Sequence, residues 1–275
     1  MIEQKETVIT PTTESTILQM GEVWGHRDLL RYLIVREIHS SYANTSIGIF
    51  WVLLQPLLTA LVLTLIFSIL IRVPTEGIPY PLVILSAYPF YLYLNSVVMR
   101  SANSMRANAH LLTKVYFPKL IIVLVPLIAG LIDLAVLLAV VLLAAPFFGT
   151  LPSMSWFALS VPIVLVVILA FGVGLWLSQL TVYVADVGPA LPALFQVLLF
   201  LSPIVYPIAL VPDDWRWLYD LNPLVGIIEA ARWALLDKGE LPVYALSTTI
   251  GICISILVSG LVFFRLLEDA SADVV

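Results

Sequence analysis

The sequence predicts an all-α polytopic membrane protein with six transmembrane helices, and three observations carry that prediction. Between Ile47 and Ile71 run 25 residues without a charge, IGIFWVLLQPLLTALVLTLIFSILI. At ~1.5 Å per residue, a helix of that length exceeds the roughly 30 Å hydrocarbon core of a bilayer. Similar apolar runs recur along the chain, which is 61% hydrophobic and 11% charged, whereas a soluble domain is nearer a quarter charged. Finally, nine of the 13 Lys and Arg residues fall in segments that are cytoplasmic if both termini are inside, the bias that the positive-inside rule demands.

Each element follows in order. Residues 1–25 carry both charge signs and no apolar h-region, so a cytoplasmic tail is expected here, not a signal peptide. Residues 26–44 are expected as an interface helix: Leu29, Leu30, Leu33 and Ile34 share one arc, with Arg27, Asp28 and Arg31 beyond it. A juxtamembrane extension of the first span competes with this assignment. The six-span domain occupies 45–275, with spans near 47–71, 80–99, 118–146, 156–184, 189–208 and 241–264. Pro56, Pro89, Pro126, Pro162, Pro192 and Pro203 fall inside these runs. Membrane helices tolerate such prolines as kinks because neighbours re-satisfy the freed carbonyls.

Two polar segments interrupt the spans. Loop 100–119, RSANSMRANAHLLTKVYFPK, is basic and long enough for a short helix at 107–115. Segment 209–240 is too polar to cross, but its half LNPLVGIIEAARWALL has the periodicity of a re-entrant or interfacial hairpin. Asn222 is placed to cap the second helix there, with Pro223 at its first position.

Several chemistries are absent. No G-x-x-x-x-G-K-[ST] segment cradles ATP, and neither H-E-x-x-H nor G-x-S-x-G occurs. The histidines His26, His39 and His110 lie outside the spans and far apart, so no metal site is expected. Cys253, the single cysteine, sits in an apolar run and is expected to be a buried, inert thiol. Asp133 is the one carboxylate deep in a span, and either a transport pathway or helix packing accounts for it. Tyr80, Tyr88, Phe90, Tyr91 and Tyr93 of the second span join Phe195, Phe200 and Tyr206 of the fifth. They form either an interfacial belt or a platform for the C–H faces of sugars. Tyr88, Tyr91, Phe200 and Tyr206 are the candidate channel-lining residues. Arg27, Arg31 and Arg36 are candidates for an anionic head group, with attraction to anionic lipids as the competing role.

These pieces resemble a known family. SIGIFWVLLQPL is similar to the G-x-x-W-x-x-x-x-P start of permeases of type-two ABC exporters for polysaccharides, which carry O-antigen, capsule or wall teichoic acid chains. YFPK at 116–119, the ordered set SPIVYP, VP, LNPL and Arg232, and the closing FFRLLEDASADVV also match the family pattern. One departure is Ala185–Asp186, where the family often has Arg-Asp. The resemblance implies a transport subunit and no enzyme. It exports a lipid-pyrophosphate-linked glycan from the inner membrane to the periplasm, as a homodimer with two ATPase subunits that hold ATP and Mg. It also implies that 107–115 is the coupling helix, with Ala107, His110, Leu111 and Lys114 on the ATPase. Segment 209–240 becomes the periplasmic gate, with Pro203, Pro207, Trp215, Asn222, Pro223 and Arg232. No cofactor in this chain and no nucleic-acid partner are expected. A permease for a drug or small lipid is the alternative. A membrane glycosyltransferase would need paired carboxylates or a nucleotide-sugar loop, and neither is found.

Overall fold

A computed structural model describes residues 20–43, 50–75, 77–150, 153–237 and 241–274. Among them there is no strand. Residues 1–19 of the expected tail, 44 of the expected interface helix, 45–49 before and within the start of the expected first span, and 238–240 of the hairpin lie outside the described residues.

Two helices, α1 (Met20–Gly25) and α2 (Arg27–Ala43), precede the first long one. α3 (Phe50–Thr64) runs into a π-helical turn at Leu65–Leu70 and ends at Arg72, whose φ of 58° leaves the helical region. There follow α4 (Tyr80–Ala107), α5 (Ala109–Leu112), α6 (Leu120–Ala144), α7 (Ser160–Tyr183) and α8 (Val187–Phe200). The chain closes with α9 (Asp213–Tyr219), α10 (Pro223–Leu236) and α11 (Val243–Val274). The described residues are thus all-helical, with 5 helices among them long and apolar enough to cross a membrane: Leu53–Leu70, Tyr80–Ala107, Leu120–Phe148, Met154–Tyr183 and Val243–Glu268.

Three expectations change. The fifth predicted span is only the 14-residue α8, ~21 Å long at the helical rise and short of the roughly 30 Å core. Pro203 and Pro207 account for this: each lacks an N–H, and each biases its predecessor away from helical backbone. The chain turns instead, and Asn222 Nδ2 donates to the Leu201 carbonyl at 3.2 Å and to Ser202 Oγ at 2.9 Å. Pro203 therefore ends a helix where a kink was expected.

The second change is in α4, which passes its expected end at 99 and continues to Ala107. Polar residues there satisfy themselves on the helix, as when Asn103 Nδ2 donates to the Met99 carbonyl at 2.8 Å. The expected helix at 107–115 shrinks to α5, because Asn108 leaves helical backbone (φ −111°, ψ 17°).

The third concerns α2. Its arc of Leu29, Leu30, Leu33 and Ile34 packs on a cluster formed by Met105, Phe117, Ile121 and Phe264. The arc faces protein, whereas a helix lying on the interface would have turned it to lipid. Trp24, Tyr32 and Val35 are the exposed apolar residues of this region.

α4 lies at the centre, against α6 and α7. Along α7 and α11 the backbones nearly touch: a Cβ on Gly172 would lie 2.8 Å from Leu257 N, and one on Gly260 would lie 2.7 Å from the Gly172 carbonyl oxygen. Small residues allow such close approach between membrane helices. Trp176 seals the contact, stacking on Phe263 at 4.0 Å.

Candidate functional site: a tyrosine-lined cavity above a charged column

Tyr88 and Tyr91 lie three residues apart on α4 and therefore share a face. Their rings stack with centroids 6.0 Å apart and 17° between planes. Tyr91 Oη donates to the Phe195 carbonyl at 2.8 Å, and its ring meets the Phe195 ring edge-on. Both tyrosines are buried. With Gln55 of α3, Asn95 of α4, Asp133 of α6 and Gln196 of α8 they line a cavity of about 620 Å³.

Arg100 also lines this cavity. Its Nη2 donates to Asp133 Oδ2 at 3.2 Å and to Ser96 Oγ at 2.6 Å, while Nη1 lies 3.8 Å from Glu37 Oε1. Glu37, Arg100 and Asp133 thus form a column running from α2 through α4 to α6. This settles the company of Asp133, which has a cation beside it. The end of the apolar run at 99 puts Arg100 in a loop and hides the pair. One signal was available: Val97, Val98, Ser101, Ala102 and Met105 continue the buried face of α4 past 99.

A second cavity of about 350 Å³ opens between α2, α4 and α6, and Met99 and Arg100 border both. Arg36 lines it, and its Nη2 donates to Asn108 Oδ1 at 2.7 Å. Arg27 and Arg31 are exposed on α2 and line neither cavity.

Phe200 and Tyr206 are not brought to Tyr88 and Tyr91. Phe200 is half exposed at the end of α8. Tyr206 Oη donates to the Phe200 carbonyl at 2.7 Å and accepts from Tyr219 Oη at 2.9 Å. The other hairpin residues divide by burial. Trp215 on α9 is exposed, and Pro203 is buried in the turn that Pro207 ends. The Asn222 side chain accepts from Leu224 N–H at 3.0 Å, the expected cap, with Pro223 next.

Arg232 is buried on α10. Its Nη1 donates to Glu229 Oε1 at 3.0 Å, and its Nη2 donates to the carbonyls of Val83 at 3.2 Å and Ile204 at 3.3 Å. It ties α10 to α4 and to the turn after α8. Burial lowers its pKa from the ordinary value, and Glu229 opposes that. In the connection before α10, burial pushes the Asp220 carboxyl up and the charge of Arg216 opposes it. Ser155 Oγ and Trp156 Nε1 donate to the Ala234 and Leu235 carbonyls at the other end of α10. Of the expected coupling residues, Ala107, His110 and Lys114 are exposed, while Leu111 packs on the α2 cluster.

Residues 28–236 match the family model described as ABC-2 type transporter. The chain belongs to that family. It is 26% identical over 249 residues to the O-antigen export system permease protein RfbA of Klebsiella pneumoniae, covering 90% of this chain and 95% of that one. It is 25% identical to RfbA of Myxococcus xanthus, over 80% of this chain and 85% of that one. It is also 28% identical to the polysialic acid transport protein KpsM of Escherichia coli, over 86% of this chain and 93% of that one. In this ABC-2 chain the closing motif forms an ion pair, Arg265 Nη1 to Glu268 Oε2 at 3.2 Å. Ala185 and Asp186, at the family's Arg-Asp position, are exposed in the turn between α7 and α8. Among the described residues no three His, Cys, Asp or Glu side chains gather as a metal set.

Proposed function

We propose that this chain is the inner-membrane permease of an exporter that moves a lipid-pyrophosphate-linked, O-antigen-like polysaccharide from cytoplasm to periplasm. It works as a homodimer with two ATPase subunits, which hold ATP and Mg, and both termini are cytoplasmic. The observation that carries this is the alignment over 95% of a permease named for O-antigen export. The tyrosine-lined cavity supports it, because stacked rings and amides are the surfaces on which a sugar chain slides through many weak contacts. We place ATPase contact at Ala107, His110 and Lys114. Arg27, Arg31 and Arg36 serve head-group entry. Gate motion belongs to α9, since caps at both ends and Arg232 hold α10 in the core.

The test is reconstitution with a partner ATPase subunit. ATP hydrolysis should rise on adding a lipid-linked polysaccharide, and glycan should accumulate inside inverted vesicles. Stimulation by drugs or short-chain lipids alone would instead assign the chain to the small-substrate branch.

A further inference from the structure

The smaller cavity joins Arg36, a head-group candidate from the sequence, to features that neither the sequence motifs nor the family match singles out. Two guanidiniums, Arg36 and Arg100, line it together with Asn103, Asn108 and Ser104. They come from helices far apart in sequence. Asn108 Oδ1 holds Arg36 at the cavity, because the Asn108 amide is itself fixed by donating to the Ser104 carbonyl at 2.9 Å. Arg100 is held from the other side by Asp133 and Ser96. One carboxylate, Glu37, sits in this cavity, at 3.8 Å from Arg100 Nη1. A charge-assisted hydrogen bond between such groups is typically about 2.7–2.9 Å long, so this contact is well beyond one. Glu37 is a loose counter-ion, and removing it leaves two fixed cations with nearby amide donors.

We propose that this cavity binds the pyrophosphate-bearing head group of a lipid, that Arg36 and Arg100 hold it, and that Glu37 is the internal anion it displaces. The inference rests on the export reading and deepens it by assigning the head group a site. Arg100 joins Arg36 at this site, while Arg27 and Arg31, exposed on the same helix as Arg36, meet the head group at the surface before it enters. A phosphate exchanges for the loosely held Glu37 on Arg100 while Asp133 stays in place, so the guanidinium is never left unpaired. Because Met99 and Arg100 border both cavities, a head group held here leaves the first sugars beside the cavity of Tyr88 and Tyr91.

The test is binding of farnesyl pyrophosphate to the full chain in nanodiscs, with farnesol, inorganic pyrophosphate and phosphatidylglycerol as separate arms. Farnesyl pyrophosphate should bind and the other three should fail to compete at equal concentration. Arg100→Gln should lose about tenfold in affinity, the scale of one charge-assisted hydrogen bond, and Arg100→Lys should recover part of it. Glu37→Gln is the deciding variant. It should tighten binding about two- to fivefold, the scale of a partly exposed ion pair, whereas a structural bridge would weaken it or leave it unchanged. Weaker or unchanged binding in Glu37→Gln overturns the counter-ion. Equal competition by inorganic pyrophosphate or phosphatidylglycerol overturns the head-group assignment. Thermal melting of each variant separates lost binding from lost fold. Failure of glycan export in the reconstituted system, with this binding intact, would sink the export reading and leave the site standing.

Discussion

Arg232 shows what a single residue does when its surroundings are known. In the sequence it counts as one cation outside the membrane core. In the fold its guanidinium reaches three carbonyls, those of Val83, Ile204 and Tyr206, and one carboxylate, that of Glu229. A planar fork serves several acceptors at once, and an ammonium does not. Removing one partner of a buried pair costs about 3–5 kcal/mol, because the remaining groups stay desolvated. Arg232→Ala should therefore lower the melting temperature of the purified chain sharply. Arg232→Lys should restore only part of the loss, in detergent thermal-shift measurements. A melting temperature unchanged in Arg232→Ala would show that the carbonyls find other donors. Nothing near Arg232 in sequence announces this, since Val83 and Ile204 are brought in by separate elements.

At the scale of elements, the contact between α7 and α11 depends on having no side chain at Gly172 and Gly260. The atoms a Cβ on Gly172 would meet are the backbone of Leu257 and Ile256, which cannot rotate away as a side chain would. Gly172→Val should separate the two helices and cost about 1–3 kcal/mol or more, the usual penalty of overpacking. Gly251, on α11 with nothing within 4 Å of its Cβ position, is the control, where alanine should be neutral or stabilising. Equal melting temperatures for the two variants would argue against the close approach.

The α4–α6 connection yields a second test at this scale. Leu111→Asp would disturb the α2 cluster as well as any docking surface, because Leu111 packs inward. Lys114→Glu alters an exposed charge and the 3.5 Å contact of Lys114 Nζ with the exposed His110 Nε2, and touches no buried cluster. It should weaken ATPase association about fivefold, the upper range of a surface ion pair, and lower export without changing the melting temperature. Unchanged association in a pull-down titration would remove Lys114 from the docking surface.

Over the whole molecule, the tyrosine cavity joins α3, α4, α6 and α8, and the charged column beneath it links those helices to α2. If glycan slides on the two stacked rings, each ring contributes about 1 kcal/mol per contact. Removing both should then reduce export of long glycans about tenfold or more. Tyr88→Ala with Tyr91→Ala should leave basal ATP hydrolysis in the reconstituted complex. Loss of export for long and short glycans alike, with the same melting temperature, would point to a general packing role. The same cavity explains why Phe200 and Tyr206 do not belong with these rings: α8 ends at Phe200, and the turn that follows carries Tyr206 towards Tyr219.

Hydropathy and spacing along the chain are enough to reveal a multi-helix membrane protein, to locate the five long apolar helices among the described residues, and to start α10 at Asn222 and Pro223. Those are local properties: each spanning segment must satisfy its own backbone within the bilayer, so hydropathy and length expose it directly. A helix cap, likewise, needs only neighbours in the chain. Packing in three dimensions is what pairs Arg100, on the length of α4, with α2 and α6, and what turns the leucine arc of α2 towards protein. Leucine is equally at ease against lipid and against a neighbouring helix, so an apolar arc does not reveal what covers it. Charges in a membrane demand partners, but the partners of Arg100 and Arg232 arrive on other helices, and the pairing exists only once those helices have packed.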